Sequence, residues 1–144
     1  MTEISFHFNA PDKLVHACRY ARKLLQGDLR LAITGPAEVL DRIDTMLWNM
    51  AAHDFVAHCR ADGDPQVLEA SPIVLTTDPD QSPHHDVLLN LGDEVPQGFG
   101  SYGRLVEVVS ASDESDRQQA RARWRHYAQQ GYAMVRHDLV QKAP

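Results

Sequence analysis

ISFHFNAPDKLVHACRYARKLLQGDLRLAITGPAEVLDRIDTML, Ile4 to Leu47, switches repeatedly between two periods of apolar residues, and those switches decide the fold. Ile4, Phe6 and Phe8 alternate with Ser5 and His7, the pattern of a strand, which puts His7 at the surface or rim. After Pro11 and Asp12, a helix start, Leu14, Val15, Cys18, Ala21 and Leu25 recur at helical spacing until Gly27 stops them. Leu29, Leu31 and Ile33 alternate as a second strand that ends in Thr34-Gly35-Pro36. Pro36 suits the first position of a second helix, with Glu38 in its first turn and Val39, Leu40, Ile43, Met46 and Leu47 as its buried stripe. Strand, helix, strand, helix implies parallel strands joined by right-handed crossovers. The fold class is therefore α/β.

Outward from this stretch the pattern continues. Phe55-Val56 is a candidate short strand, and Ala61 to Pro72 reads as loop at its Gly and Pro positions. Pro72 to Thr77 is a β-branched run and reads as a strand. Asp78 to Asp86 is a polar, turn-rich loop. Asp86 to Leu91 is nearly continuous in apolar residues, as in a central strand covered on both faces. Gly92 to Gly103 is rich in glycine, and Leu105 to Val109 is the last clear strand. The residues after Gly131, with Tyr132, Met134 and Val135, are expected to pack back before the tail frays at Lys142 to Pro144.

Such folds often bind nucleotides at the strand-to-helix turns. Here those turns read FNAPDK and ITGPAE. Neither supplies a glycine-rich phosphate loop, and Pro36 lacks the backbone N–H that a phosphate needs. The expectation is the fold without a nucleotide cofactor.

The chain has 144 residues, 43% hydrophobic and 24% charged, ordinary for one soluble domain. No apolar run approaches the ~20 residues of a membrane span, and the N-terminus lacks the plan of a signal peptide. Cytoplasmic localisation is expected, with no membrane partner. Cys18 and Cys59 cannot make a disulfide framework and are expected to be buried small hydrophobes. The net charge of -6 argues against broad duplex binding, though not against a local basic site.

Such a site is legible in Ser115 to Met134, SDRQQARARWRHYAQQGYAM. Ser115 and Asp116 suit a helix start and Gly131 a left-handed stop, which predicts a helix over roughly Asp116 to Gln130. Arg117, Arg121 and Arg125 fall in one row, with Trp124 beside them; Arg123 and His126 point elsewhere, and Ala120 and Tyr127 lie on the flank. An Arg row is usually a solvated face and a neighbouring Trp usually core. This row, however, carries no acid at four-residue spacing after Asp116, on an acidic chain. It suits an anionic peptide, phosphate or strand.

Metal and catalytic readings are weaker. His53, His58 and Cys59 lie close in sequence and His84-His85 form a pair, but none has a compact zinc spacing. A Cys59–His58 nucleophile pair lacks a placeable orienting group or oxyanion element. The carboxylate pairs Asp78/Asp80 and Asp93/Glu94 read as solvated loop residues. No cofactor, metal or catalytic residue is expected.

The order WNMAAHDFVAHC, then HDVLLNLGDEVP, then RLVEVVSASDESDRQQARARWRHYAQQGYAM, over roughly Leu47 to Met134, resembles the chi subunit family of the bacterial DNA polymerase III holoenzyme. The resemblance implies one Rossmann-like domain over 1–144, a mostly parallel sheet with helices on both faces and no nucleotide site. It implies a non-catalytic accessory subunit that pairs with the psi subunit and through it joins the clamp loader. It also implies binding of the acidic C-terminal tail of single-stranded-DNA-binding protein, which ends in Pro-Phe, so that contact with DNA is mainly indirect. Carried over by motif, the tail site falls on Phe55, Val109, Arg121, Trp124 and Arg125, with Tyr127 in the same motif; the stripe adds Arg117. Trp124 and Arg125 stand where the best-known members have Tyr and Lys. Two rival classes stay open: a direct single-stranded nucleic-acid binder using the same Arg row and Trp124, and an enzyme using Cys59 and His58.

Overall fold

A computed structural model describes residues 1–49 and 58–140. Among these residues seven strands form one sheet: β1 (Glu3–Ala10), β2 (Leu31–Thr34), β3 (Cys59–Arg60), β4 (Ile73–Thr76), β5 (Val87–Asn90), β6 (Arg104–Ser110) and β7 (Met134–Asp138). Their order across the sheet is β3-β4-β2-β5-β6-β1-β7, and every neighbouring pair is parallel. Among the described residues four α-helices accompany them: α1 (Lys13–Gln26), α2 (Ala37–Asn49), α3 (Pro65–Ala70) and α4 (Glu114–Gln129). The expected α/β class, with a parallel sheet and helices on both faces, is what the chain adopts.

Local chemistry sets the ends of these elements. Asp12 caps α1 by accepting from the N–H groups of Leu14 and Val15 at 3.0 and 3.1 Å, and the Gly27 N–H closes its far end on the Leu24 carbonyl at 3.0 Å. The Pro36 carbonyl starts α2 by accepting from Val39 and Leu40. Strand alternation then divides the core. Leu31 and Ile33, Val87 and Leu89, and Val106 and Val108 face α1 and α2. Ala32, Leu88, Leu105 and Val109 face α4, together with Ile4 and Phe6 of β1. The central strands β2 and β5 are buried at every position, which explains their nearly continuous apolar runs.

Several expectations are corrected. β2 begins at Leu31, leaving Leu29 exposed. Ala61 to Pro72 is not all loop: Asp64 accepts from the Gln66 N–H at 2.8 Å and Pro65 opens α3. α4 starts earlier than Asp116, because the carboxylate that caps it is that of Asp113, which accepts from the Asp116 N–H at 3.2 Å. Asp116 itself turns inward to accept from the Ser110 N–H at 2.8 Å and from Lys13 at 2.7 Å. His7 is buried at 7% exposure, since α1 covers its face of β1. Cys18 is buried as expected, but Cys59 is only half-buried; both are free thiols. The segment after Gly131 does pack back, as edge strand β7 beside β1, with Ile4 opposite Met134 and Phe8 opposite Asp138. The expected Phe55-Val56 strand and the expected fraying at Lys142 to Pro144 lie outside the described residues.

Candidate functional site

α4 lies across the sheet with Asp116, Ala120, Arg123 and Tyr127 turned inward. Two of these four are formally charged, so the helix could not be oriented by hydrophobic pattern alone. What holds it is a polar network. Glu107 of β6 accepts from Tyr127 Oη at 2.6 Å, from Arg123 Nε at 3.1 Å and from Asn90 Nδ2 at 3.1 and 3.2 Å. Arg123 Nη1 continues to the Asp93 carbonyl at 2.8 Å, while Nη2 is buried without a partner among the described residues. Burial raises the Glu107 carboxyl above the usual carboxylate range; the Arg123 charge and the bonds from Tyr127, Asn90 and Arg123 oppose it. Burial and then the Glu107 charge likewise push the Tyr127 hydroxyl up.

Between α4 and strands β6, β1 and β7 lies a cavity of about 320 Å³. Its apolar wall is Phe6 and Phe8 of β1, Val109 of β6, and Ala120 and Trp124 of α4. The rings are braced: Phe6 meets Trp124 edge-on at 5.0 Å between centroids and Tyr127 at 6.0 Å. Its polar rim is Arg117 and Arg121 of α4 and Arg136 of β7. The Arg136 guanidinium sits over the Phe8 ring at 5.0 Å and within 5.9 Å of the Trp124 ring. None of these described lining side chains can take a proton or act as a nucleophile at neutral pH. The chemistry on offer is recognition of a group that is apolar at one end and anionic at the other.

Of the residues expected at this site, Val109, Arg117, Arg121 and Trp124 come together around the cavity. Arg125 is exposed outside it, its Nε donating to the Arg121 carbonyl at 3.4 Å. Tyr127 is fully buried and supports the floor through Phe6 rather than facing the opening. Phe55 lies outside the described residues. Arg121 also has an acid that four-residue spacing does not reveal: Glu114 at 3.3 Å, with the two side chains 56% and 61% exposed. A pair that open to water contributes little and is readily exchanged for another carboxylate. Phe6, Phe8 and Arg136 were missed. The phenylalanines were legible as one face of a strand, but only the β1–β6 pairing sets that face beside α4, and only the β1–β7 pairing adds Arg136.

Elsewhere His58, His84 and His85 have partners. His58 Nε2 lies 2.7 Å from Asp44, His84 Nε2 lies 2.6 Å from the Glu69 carbonyl, and the His85 ring stacks on Tyr102 at 4.3 Å. His53 is outside the described residues. Among the described residues no group of His, Cys, Asp and Glu is placed to hold a metal ion. The crevice at the C-terminal ends of β2, β4 and β5, where nucleotides bind in related architectures, is lined by Asp78, Asp93 and Glu94 with no described Lys or Arg. Those carboxylates disfavour a phosphate there. No described helix is long and apolar enough to cross a membrane.

A parallel α/β sheet with a carboxylate-lined crevice at its strand ends, and a cavity of rings and guanidinium groups at its edge, defines a class of α/β protein without the nucleotide-binding motif. Within that class, residues 1–135 match the family model of the DNA polymerase III chi subunit, HolC, and the chain belongs to that family. The DNA polymerase III subunit chi of Pseudomonas aeruginosa is 28% identical, covering 96% of this chain and 98% of that protein.

Proposed function

We propose that the protein is a non-catalytic adaptor of the replicative polymerase assembly. It binds the psi subunit of the clamp-loader assembly, and the α4 cavity holds the acidic C-terminal tail of single-stranded-DNA-binding protein. The observation that carries the tail reading is the makeup of the cavity: an aromatic and aliphatic wall under three guanidinium groups on an acidic protein. The terminal Phe ring enters between Phe6, Phe8, Val109 and Trp124. Arg121 takes the α-carboxylate once Glu114 releases it, and Arg117 and Arg136 meet the upstream acids.

Burying the ring is worth ~1.5–3 kcal/mol. A charge-assisted bond to the carboxylate adds ~1.5–3 kcal/mol, and each exposed ion pair ~0.2–1 kcal/mol. After the cost of ordering the peptide, the sum suits roughly micromolar affinity or weaker, declining with salt. Weak, exchangeable binding suits a tether that must follow a moving assembly.

The test is fluorescence anisotropy of a labelled acidic peptide ending in Pro-Phe. Wild type is expected to bind, with loss of binding in Arg121→Ala and for the peptide lacking its final Phe. Absence of wild-type binding overturns the tail reading; retention of a single-stranded oligonucleotide in its place would favour direct nucleic-acid binding. The psi reading is checked separately by co-elution with purified psi subunit.

A further inference from the structure

β1 shows Ile4, Phe6 and Phe8 to α4, and the opposite face of the same strand builds a second concavity. Between α1 and β7 lies a groove of about 570 Å³. One face of α1, at helical spacing, contributes His16, Arg19, Tyr20 and Lys23. Across from it, β7 and the residue after it contribute Val135, His137 and Leu139. The floor is Ser5 and His7 of β1 and Arg104 of β6.

The groove is electrostatically one-sided. Glu3 is its one carboxylate among the described lining residues, and it is taken by Arg104 at 3.4 Å. Arg104 Nη1 also donates to Tyr20 Oη at 3.4 Å. Arg19 and Lys23 form no ion pair among the described residues. Three imidazoles converge in the same space. His7 Nδ1 lies 2.8 Å from His16 Nε2, so one proton is shared between those nitrogens, and the His137 ring is 4.8 Å from that of His7. Burial, then His16, His137, Arg104 and Lys23, bring the His7 pKa down to about 3; burial and Arg19 lower that of His16. Arg104 and Lys23 both oppose a positive charge on His7. A protein with a net charge of -6 has gathered cations where they repel one another.

We propose that the groove between α1 and β7 is a second binding site, which takes a phosphate-bearing ligand of about mononucleotide size through Arg19, Lys23, His16 and His137. Two cations without an ion pair among the described residues match a phosphomonoester dianion better than a single carboxylate. Donors arriving from a helix on one side and a strand on the other suit a tetrahedral oxyanion with acceptors in several directions. The volume leaves room for a group attached to the phosphate, against the Tyr20 ring and Val135. The site shares β1 and β7 with the α4 cavity but opens on the other face of the sheet, and it does not depend on the tail reading.

The experiment is an NMR titration of the imidazole signals of the whole chain with inorganic phosphate, thymidine 5′-monophosphate and, as a control without phosphate, thymidine. Both phosphates are expected to shift His16 and His137 saturably while thymidine does not; the tighter of the two identifies a bare phosphate or a nucleotide as the better source. The exposed double substitution Arg19→Gln/Lys23→Gln is expected to weaken phosphate by about tenfold or more. No saturable shift up to roughly 10 mM phosphate, or unchanged affinity in a folded double variant, overturns the proposal.

Discussion

Glu107 on β6 and Arg123 on α4 meet at 3.1 Å with side chains 0% and 3% exposed, which makes a sealed ion pair the joint between the sheet and the helix that carries the basic rim. Removing one partner strands the other charge in a low-dielectric interior. Glu107→Gln and Arg123→Met are each expected to cost about 3–5 kcal/mol, read from urea unfolding. The pair Glu107→Met/Arg123→Met is expected to cost much less than the sum, because neither charge is then left behind. Single variants within about 0.5 kcal/mol of wild type would remove the pair from any structural role.

Arg136 and Arg125 are both exposed arginines near Trp124, yet only Arg136 lines the cavity. On the tail-binding reading, Arg136→Ala is expected to weaken an acidic Pro-Phe peptide by roughly fivefold to tenfold, and Arg125→Ala by about twofold or less. Anisotropy titration at low salt separates them. Equal losses would mean that general positive charge, not the cavity, recruits the peptide.

His7 and His16 are kept neutral in the folded protein, with the His7 pKa near 3 and that of His16 lowered, burial being the main cause for both. Below the ordinary histidine value of about 6.5 the unfolded chain binds more protons than the folded one. Stability is therefore full above that value and declines as pH falls toward the folded pKa values. The slope is at most about 1.4 kcal/mol per pH unit for each histidine. Urea midpoints between about pH 7.5 and pH 5 should show the decline, before most carboxylates titrate, and His7→Gln should flatten it. A level wild-type profile over that range would mean that the rings are charged when folded.

Gly98 has φ +81°, and a Cβ added there would collide with the Asp80 carboxylate. Gly98→Ala is expected to cost about 1–2 kcal/mol, because only glycine adopts this conformation without a steric penalty. Thermal unfolding checks it. Gly131, at φ +80° with open space around it, should show the backbone cost alone, and a larger loss there than at Gly98 would contradict the assignment.

The alternating and helical periods of Ile4 to Leu47 determined the α/β class, because burial of one face leaves its mark at fixed spacing along the chain. The capping residue Asp12 and the central run at Val87 to Asn90 were equally local signals, and so was the Arg117, Arg121, Trp124 row. The resemblance of the second half to the chi family rested on such local motifs too, and the family match over residues 1–135 agrees with it. Other features left no local trace. Arg123 and Glu107 look like solvated charges in sequence, since burial of a charge is tolerable only beside a partner that the chain supplies 16 residues away. His7 appeared to be a rim residue because the alternation of β1 cannot announce that α1 will cover its other face. Phe6 and Phe8 entered the cavity when β1 paired beside β6, and Arg136 when β7 paired beside β1, each pairing joining residues far apart in the chain. The sequence by itself determined the central strands, the longer helices and which helix is basic, though not α3, β3 or β7, because those main elements depend on neighbours within a few residues. Which charges are sealed, which are free, and which side chains share a cavity were decided by the tertiary structure alone, because each depends on contacts between segments far apart in the chain.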